Sequence, residues 1–232
     1  MRRVALVLRP EPGARDTLAR LHALGVRATS EPLFAVSPVA WTTPNPWDHD
    51  AMLLTSANAV RHAGAGLRSL AHLPVLAVGE ATAAAAVAAG LRVALTGAAD
   101  AASLVAAAHA RGHGRLVHLA GRDRVTLPGV VQLTVYASNP LPITADTVRN
   151  WAGRIALLHS ARAAYRFAAL IAQHEVARGA VAVAALSDAV ARAAGDGWAI
   201  RVAAARPDDA VLTTLARDLI DRWTPGADKL PA

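Results

Sequence analysis

The chain has no cysteine, a single lysine (Lys229) and few aromatic residues. Without cysteine, disulfides and thiolate chemistry are excluded, and a reducing compartment is permitted. Aromatics make up only 4% of the 232 residues, whereas 54% are hydrophobic, much of that alanine. Such a composition is far from that of disordered chains and suits helices packed closely on sheets through small residues. No apolar run is long enough to cross a membrane; AAAAVAAG is short and alanine-rich. The opening MRRVALVLRPEPG has two arginines and then only five apolar residues, too few for the core of a signal peptide. A soluble, cytoplasmic protein is expected.

What the chain does have is positive charge. The formal net charge is +7, nearly all the cations being arginine. This reads either as attraction for an anionic partner or as arginine spread over a solvated surface. No block of five arginines occurs, and aromatics do not interleave with them, so nucleic acid is the weaker of the anionic partners. His109 and His113 are four apart, but Gly112 lies between them and no third ligand is placed nearby, so no metal is expected. No GxSxG, Walker A or complete GxGxxG pattern is present, and VGEATAAAA is too weak to imply a dinucleotide. No cofactor is expected.

Along the chain, short apolar runs alternate with helical spacing. Val4–Leu8 reads as a buried strand, Asp16–Leu24 as a helix stopped by Gly25, and 26–34 as extended chain. This β-α-β order implies a parallel sheet. Residues 37–47, SPVAWTTPNPW, form a proline-marked connector. Strands then follow at 51–54, 75–78, 93–95, 116–119 and 130–136, with helices from the corner after Leu54 to about Ala65, at 81–89 and at 100–110. Asn139-Pro140-Leu141-Pro142 is a second connector. Beyond it come strands at 155–158, 181–186 and 200–203 and helices at 161–172, 188–194 and 208–223. The tail, TPGADKLPA, is expected to fray.

The second half echoes the first. LLTSANAVRHA (53–63) and LLHSARAAYRF (157–167) share Leu, Leu, Ser, Ala and Ala at a shift of 104, and AVGEATAAAA (77–86) aligns with ALSDAVARAA (185–194) at a shift of 108. VALVLRPEPG has a shorter partner in LVHLAGRDR. Two related α/β lobes are implied, although periodicity leaves open which N-terminal piece belongs to which lobe. In parallel α/β sheets ligands bind beyond the carboxyl ends of strands, where helix N-termini offer free N–H groups to anions. Thr55-Ser56-Ala57, Gly79-Glu80, Gly121-Arg122, Ser160-Ala161 and Ser187-Asp188 fall at such corners. Each serine also reads as a helix N-cap, worth about 1 kcal/mol. Tyr136 is one of only two tyrosines and ends an extended run beside a connector. It reads either as a packing aromatic or as a hydroxyl facing a cleft. Tyr165, in the middle of a helix, reads as packing.

Taken together, these segments resemble the uroporphyrinogen-III synthase family. The matching pieces are LRPEPGARDTLARLHALG with PLF, LLTSANAVR, AVGEATAAAAVAAG, HLAGRDR, the VY of QLTVYAS, LLHSARAAYRFA, and ALSDAVARAAGDGW with VAAARPDDAVL, in the family's order over nearly the whole chain. The resemblance implies two similar α/β lobes, each a parallel sheet flanked by helices, joined by a two-stranded antiparallel connector. Residues 1–36 and 144–232 would form one lobe and 48–133 the other, with crossings at 37–47 and 134–143. It implies closure of linear hydroxymethylbilane to uroporphyrinogen III, with inversion of the last ring, loss of water and no cofactor. The substrate's eight carboxylates suit a basic protein. Unaided closure through the free α-carbon of the last ring gives the type I isomer. The enzyme instead holds the substituted carbon close, so that a spiro intermediate forms and rearranges, which is catalysis by positioning. Tyr136 matches the family tyrosine proposed as the acid at the departing oxygen. Arg9, Thr55, Ser56, Ala57, Gly79, Thr82, Gly121, Arg122, Ser160, Ala161 and Ser187 are the expected substrate-binding positions. A monomer with transient contact to hydroxymethylbilane synthase is expected.

Some positions depart from the family pattern. The opening strand ends Leu8-Arg9-Pro10 where Thr-Arg-Pro is common. Ser187, Ala189 and Val190 stand where many relatives have a glycine and two threonines. The stretch 124–130 is short, as if a helix were lost. A non-catalytic two-lobed protein that binds a tetrapyrrole or another polyanion is the alternative, because fold likeness alone does not grant activity.

Overall fold

A computed structural model describes residues 3–97 and 100–223. The tail from Thr224 lies outside the described residues. Eleven strands are present among them: β1 Ala5–Val7, β2 Ala28–Ser30, β3 Phe34–Pro38, β4 Ala51–Leu54, β5 Val75–Val78, β6 Val93–Gly97, β7 Leu116–Gly121, β8 Val131–Pro140, β9 Ile155–Leu158, β10 Ala182–Ala185 and β11 Ile200–Ala203. The α-helices are α1 Gly13–Ala23, α2 Ala57–His62, α3 Gly66–Ser69, α4 Glu80–Ala88, α5 Ala101–His109, α6 Ala145–Arg149, α7 Ala161–Gln173, α8 Asp188–Ala194 and α9 Asp209–Arg222. The chain separates into two compact units, Met1–Ala35 with Pro140–Ala232, and Val36–Asn139.

In the discontinuous unit the sheet order is β11-β10-β9-β1-β2, and every pairing is parallel. β1, β9 and β10 are buried at every residue, as strands covered on both faces must be. Side chains alternate between two cores. Leu6, Leu8, Ala156, Leu158, Val183 and Ala185 face α7 and α8. Ala5, Val7, Ile155, Leu157, Ala182 and Ala184 face α1 and α9. The first core is anchored by Phe167, which lies 5.2 Å from the Trp151 ring and 5.3 Å from the Trp198 ring.

The contiguous unit has the sheet order β3-β8-β7-β4-β5-β6. Read from β6 to β8 it repeats the spatial order of the other unit, with β4 in the place of β9 and β7 in the place of β1. The pairs β4–β5, β4–β7, β5–β6 and β7–β8 are parallel. β3 and β8 are the two passages between the units. Leu141 N–H donates to Leu33 O and Val39 N–H to Val135 O, so residue numbers fall along one strand as they rise along the other and the pair is antiparallel. Met52, Leu54, Val75, Ala77, Val117 and Leu119 face α2, α3 and α4. Ala51, Leu53, Leu76 and Leu116 face α5.

Parallel neighbours are usually joined by a crossover of a dozen residues or more with a helix in it. β7 and β8 are joined by residues 122–130, nine residues with no helix. The short stretch noted in the sequence is therefore a bare loop. Leu127, 6% exposed, drops from it into the α5-side core and covers the strand face a helix would have covered.

One local expectation is corrected and two details are added. The helix after Leu54 does not run to Ala65, because Gly64 takes φ +64° and separates α2 from α3. The second connector is partly strand: β8 continues through Asn139 and ends on Pro140. Helix α6 was not anticipated; it has only five residues, too few to show periodicity, and is started by Thr144, whose hydroxyl accepts from Thr147 N–H at 3.2 Å. Phe167→Ala is expected to cost about 3–5 kcal/mol, from lost burial plus a cavity between two tryptophans. Urea unfolding of wild type and variant measures it, and a loss below about 1 kcal/mol would mean the aromatic stack does not anchor this core.

Candidate active site

Parallel pairing places the corners of each unit along one edge of its sheet. The order changes direction between β4 and β7 in the contiguous unit and between β9 and β1 in the other, the points where parallel sheets open a crevice for ligands.

At the β4 end, Ser56 is the N-cap of α2, its hydroxyl accepting from Asn58 N–H at 3.2 Å, and Ala57 is the first helical residue. Thr55, half-buried, pairs through Oγ1 with Nε2 of His118 on β7 at 3.0 Å. His118 is 2% exposed. Burial, and then the nearby Arg124 cation, push its pKa down to about 4, so the ring is neutral at pH 7. Its other nitrogen, Nδ1, lies 3.1 Å from Nε2 of Gln132 on β8. Gln132 also donates to Val125 O at 3.0 Å and accepts from Leu127 N–H at 3.1 Å, both in the 122–130 loop. Arg124 ties the loop down a second time, donating to Gly121 O at 2.9 Å and Thr134 Oγ1 at 2.6 Å.

Tyr136 follows from a break in the β7–β8 register. Ala120 pairs with Thr134, but Gly121 pairs with Tyr136, so β8 carries one extra residue there. Such a bulge re-aims a side chain. The Tyr136 ring lies against Gly121: a Cβ at Gly121 would meet Tyr136 Cζ at 2.7 Å and its hydroxyl oxygen at 2.9 Å. Glycine is required here for space. Arg122 N–H donates to Tyr136 O at 2.9 Å, while the exposed Arg122 guanidinium donates to Asn139 Oδ1 at 3.2 Å. His62 on α2 faces Tyr136 with ring centroids 6.3 Å apart. Burial, with Arg61 adding to it, lowers the His62 pKa. A groove of about 400 Å³ runs beside it, lined among others by Trp41, Thr43, His62 and Gly66.

At the β5 end, Gly79 takes φ +77° to turn into α4. Thr82 is 5% exposed and packs inside, which leaves little of it for a ligand. In the discontinuous unit, Ser160 caps α7 by accepting from Ala163 N–H at 3.2 Å, with Ala161 as the first helical residue, and Ser187 caps α8 by accepting from Val190 N–H at 3.4 Å. The three capping hydroxyl oxygens are thus engaged by their own helices. Arg9 follows β1 and leans over Gly13, with Nη1 3.5 Å from Asp209 Oδ1. Asp209 also takes Nη1 of Arg20 at 2.8 Å, the Thr17 hydroxyl at 2.9 Å and Nε2 of His159 at 2.8 Å. Burial pushes the Asp209 carboxyl up, but the His159 and Thr17 hydrogen bonds and the His159 and Arg9 charges outweigh it and hold the pKa below the ordinary value. Burial dominates at His159, lowering its pKa despite Asp209.

The structure therefore groups Thr55, Gly121, Arg122 and Tyr136 at the β4–β7–β8 ends, and Arg9 with Ser160 at the β1–β9 ends. Gly79 and Ser187 stand at separate corners. His118, Gln132, His62, His159 and Asp209 escaped the sequence reading. One signal was available: His159 occupies the place of Thr55 in the repeated corner at the shift of 104. Among the described residues no group of three or more histidine or carboxylate side chains is placed to hold a metal, and no helix is long and apolar enough to cross a membrane.

Two units, each with helices packed on a sheet of mainly parallel strands and small residues at the strand ends, define a two-unit α/β fold. The chain belongs to the uroporphyrinogen-III synthase family: the family model described as HEM4, uroporphyrinogen-III synthase HemD, matches residues 16–214. With that membership comes a cyclising hydro-lyase activity in tetrapyrrole biosynthesis that yields uroporphyrinogen III. Among solved structures the chain is similar to uroporphyrinogen-III synthetase from Helicobacter pylori, with a TM-score of 0.66 at 15% identity, covering 94% of this chain and 100% of that one. It is also similar to a mutant uroporphyrinogen III synthase from Thermus thermophilus, with a TM-score of 0.56 at 17% identity, covering 96% and 100%. At these identities the likeness speaks for the fold. A search of curated proteins gives no match.

The neutral His118 links stability to acidity. Its folded pKa of about 4 lies below the unfolded value of 6.5, so between the two the unfolded chain binds more protons. Its contribution is fully present above pH 6.5 and is lost as the pH falls toward 4, by roughly 3 kcal/mol over that window. Denaturant unfolding from pH 7 to pH 4 is expected to show a steeper loss in wild type than in His118→Gln. Parallel curves would mean that His118 titrates normally.

Proposed function

We propose that Tyr136 is the acid that assists loss of the hydroxyl from hydroxymethylbilane, and that the strand-end corners receive the substrate's carboxylates. The observation that carries this is the β8 bulge, which lays the Tyr136 ring on Gly121 at a carboxyl end of the sheet. The phenol proton passes to the hydroxymethyl oxygen, the C–O bond breaks, and water leaves with the electron pair. The first ring keeps the resulting cation, spread onto its pyrrole nitrogen. Attack by the substituted α-carbon of the last ring gives the spiro intermediate. Its cleavage and re-closure give the type III product, with loss of a proton restoring the pyrrole. Little further chemistry is asked of the protein, because orientation selects the carbon that attacks.

The carboxylate-binding part rests on free helix N–H groups at Ala161 of α7 and Glu80 of α4, two helices of nine residues or more that start at strand-end corners, and on the Thr55 hydroxyl and Arg122. Ser56, Ser160 and Ser187 act through their caps, and Ala57, Ala161 and Gly79 through backbone that a ligand can approach. Gly121 acts by making room for Tyr136. Arg9 contributes a charge already shared with Asp209. A monomeric, cytoplasmic protein with transient contact to hydroxymethylbilane synthase belongs to the same proposal. So does the absence of nucleic acid as a partner, since the corners suit discrete carboxylates rather than a continuous phosphate track.

The test supplies purified protein with freshly made hydroxymethylbilane and separates the oxidised product isomers. Wild type should give the type III isomer. Tyr136→Phe should slow it by about 10²-fold with KM little changed, and unchanged turnover would remove Tyr136 from the mechanism. Gly121→Ala sets its Cβ against the Tyr136 ring and displaces it, so it should lower kcat about tenfold or more. Full activity in that variant would show that the ring's seat on Gly121 is not needed. Ser160→Ala should be mild, costing about 1 kcal/mol of stability, whereas Ala161→Pro should raise KM.

A further inference from the structure

The 122–130 loop does more than replace a helix. Gln132 has an amide whose two ends are normally interchangeable. Here they are told apart by two backbone groups of opposite polarity. Leu127 N–H, at 3.1 Å, needs an acceptor and takes Oε1, while Val125 O, at 3.0 Å, needs a donor and takes Nε2. Reversing the amide would set donor against donor and acceptor against acceptor. The end facing His118 Nδ1 at 3.1 Å is therefore the NH₂ group. An amide nitrogen only donates, so Nδ1 must accept and carries no proton. The neutral ring then bears its proton on Nε2, which faces Thr55 Oγ1 at 3.0 Å. Thr55 accepts this bond, and its own hydrogen is left to point elsewhere. Among the described residues Oγ1 has no other hydrogen-bond partner, and Thr55 is only half-buried at the carboxyl end of β4.

We propose that the loop, acting through Gln132 and His118, fixes the Thr55 hydroxyl as a hydrogen-bond donor to a carboxylate of the substrate. Without this chain a threonine hydroxyl rotates freely and is as ready to accept as to donate. With it, one lone pair is occupied and the donor is preorganised for an anion. His118 and Gln132 are positioning residues; Thr55 is the contact. The three positions come from three adjacent strands, β4, β7 and β8, and the loop supplies the two groups that set the direction. Among the described residues the other unit has no such chain: there His159 stands at the strand end itself and pairs with Asp209. The inference rests on reading the corner as a carboxylate site, but its first test does not.

That first test is the ring tautomer. In ¹⁵N-labelled wild-type protein at pH 7, without ligand, His118 should show a protonated Nε2 and a bare Nδ1, and Gln132→Leu should weaken that preference. A protonated Nδ1 in wild type would overturn the proposal. The second test is kinetic. His118→Met should raise KM for hydroxymethylbilane about tenfold, with kcat within about twofold, and His118→Gln, whose amide can stand in for the Nε2 donor, should restore most of it. Thr55→Val should raise KM to a similar extent, and the double variant should be no worse than either single one. Independent, multiplying losses in the double variant, or an unchanged KM in Thr55→Val, would sink the carboxylate contact. Failure of wild type to form type III product would count against the proposed function instead, and the tautomer would still decide whether the loop directs Thr55.

Discussion

Parallel pairing is the constraint on which the rest depends. When neighbouring strands run the same way, all their carboxyl ends reach one edge, and the chain must leave the sheet there at every strand. The edge collects turns, caps and unpaired N–H groups whether or not a ligand is present. Both units obey this, and both reverse strand order at the same place, between β4 and β7 and between β9 and β1. Chemistry is then a matter of which side chains are set on an edge the backbone has already made.

The two units use that edge differently. In one, a threonine ends the central strand and is served by a buried histidine from the next strand. In the other, a histidine ends the central strand and is held by a carboxylate that also gathers two guanidinium groups and a hydroxyl. The repeated corner is thus one backbone with two electrical settings: a neutral hydroxyl backed by a neutral ring, and a carboxylate surrounded by arginine.

Much of the fold was legible because its signals are local. Uninterrupted apolar runs mark β1, β4, β9 and β10, and the shift of 104 ties Leu53-Leu54 to Leu157-Leu158. The break between α2 and α3 was written in the glycines of HAGAG, but a helix of six residues is decided by how it packs. Of the site, Tyr136 and the capping serines stood out by type and place. The Gln132–His118 contact did not, since residues 14 apart meet only through a parallel register. His159 and Asp209, 50 apart, meet because α9 folds back over β10 and β9. Thr82 looked available by sequence and is buried, because it shares the inward face of α4 with Ala83 and Ala86.

The order of strands also sets an order in time. The contiguous unit needs only residues 36–139 and has all its partners as soon as that stretch leaves the ribosome. β1 is made before the other described strands, yet its neighbour β9 arrives about 150 residues later, Ala5 pairing with Ile155. At bacterial or eukaryotic synthesis rates that is a wait of roughly 8–30 seconds. Throughout it, a short run of aliphatic side chains destined for the centre of a sheet has only β2 beside it. The nascent chain therefore carries an unfinished sheet edge at β1 while residues 36–139 fold, and that edge is where a holding chaperone would have most to protect.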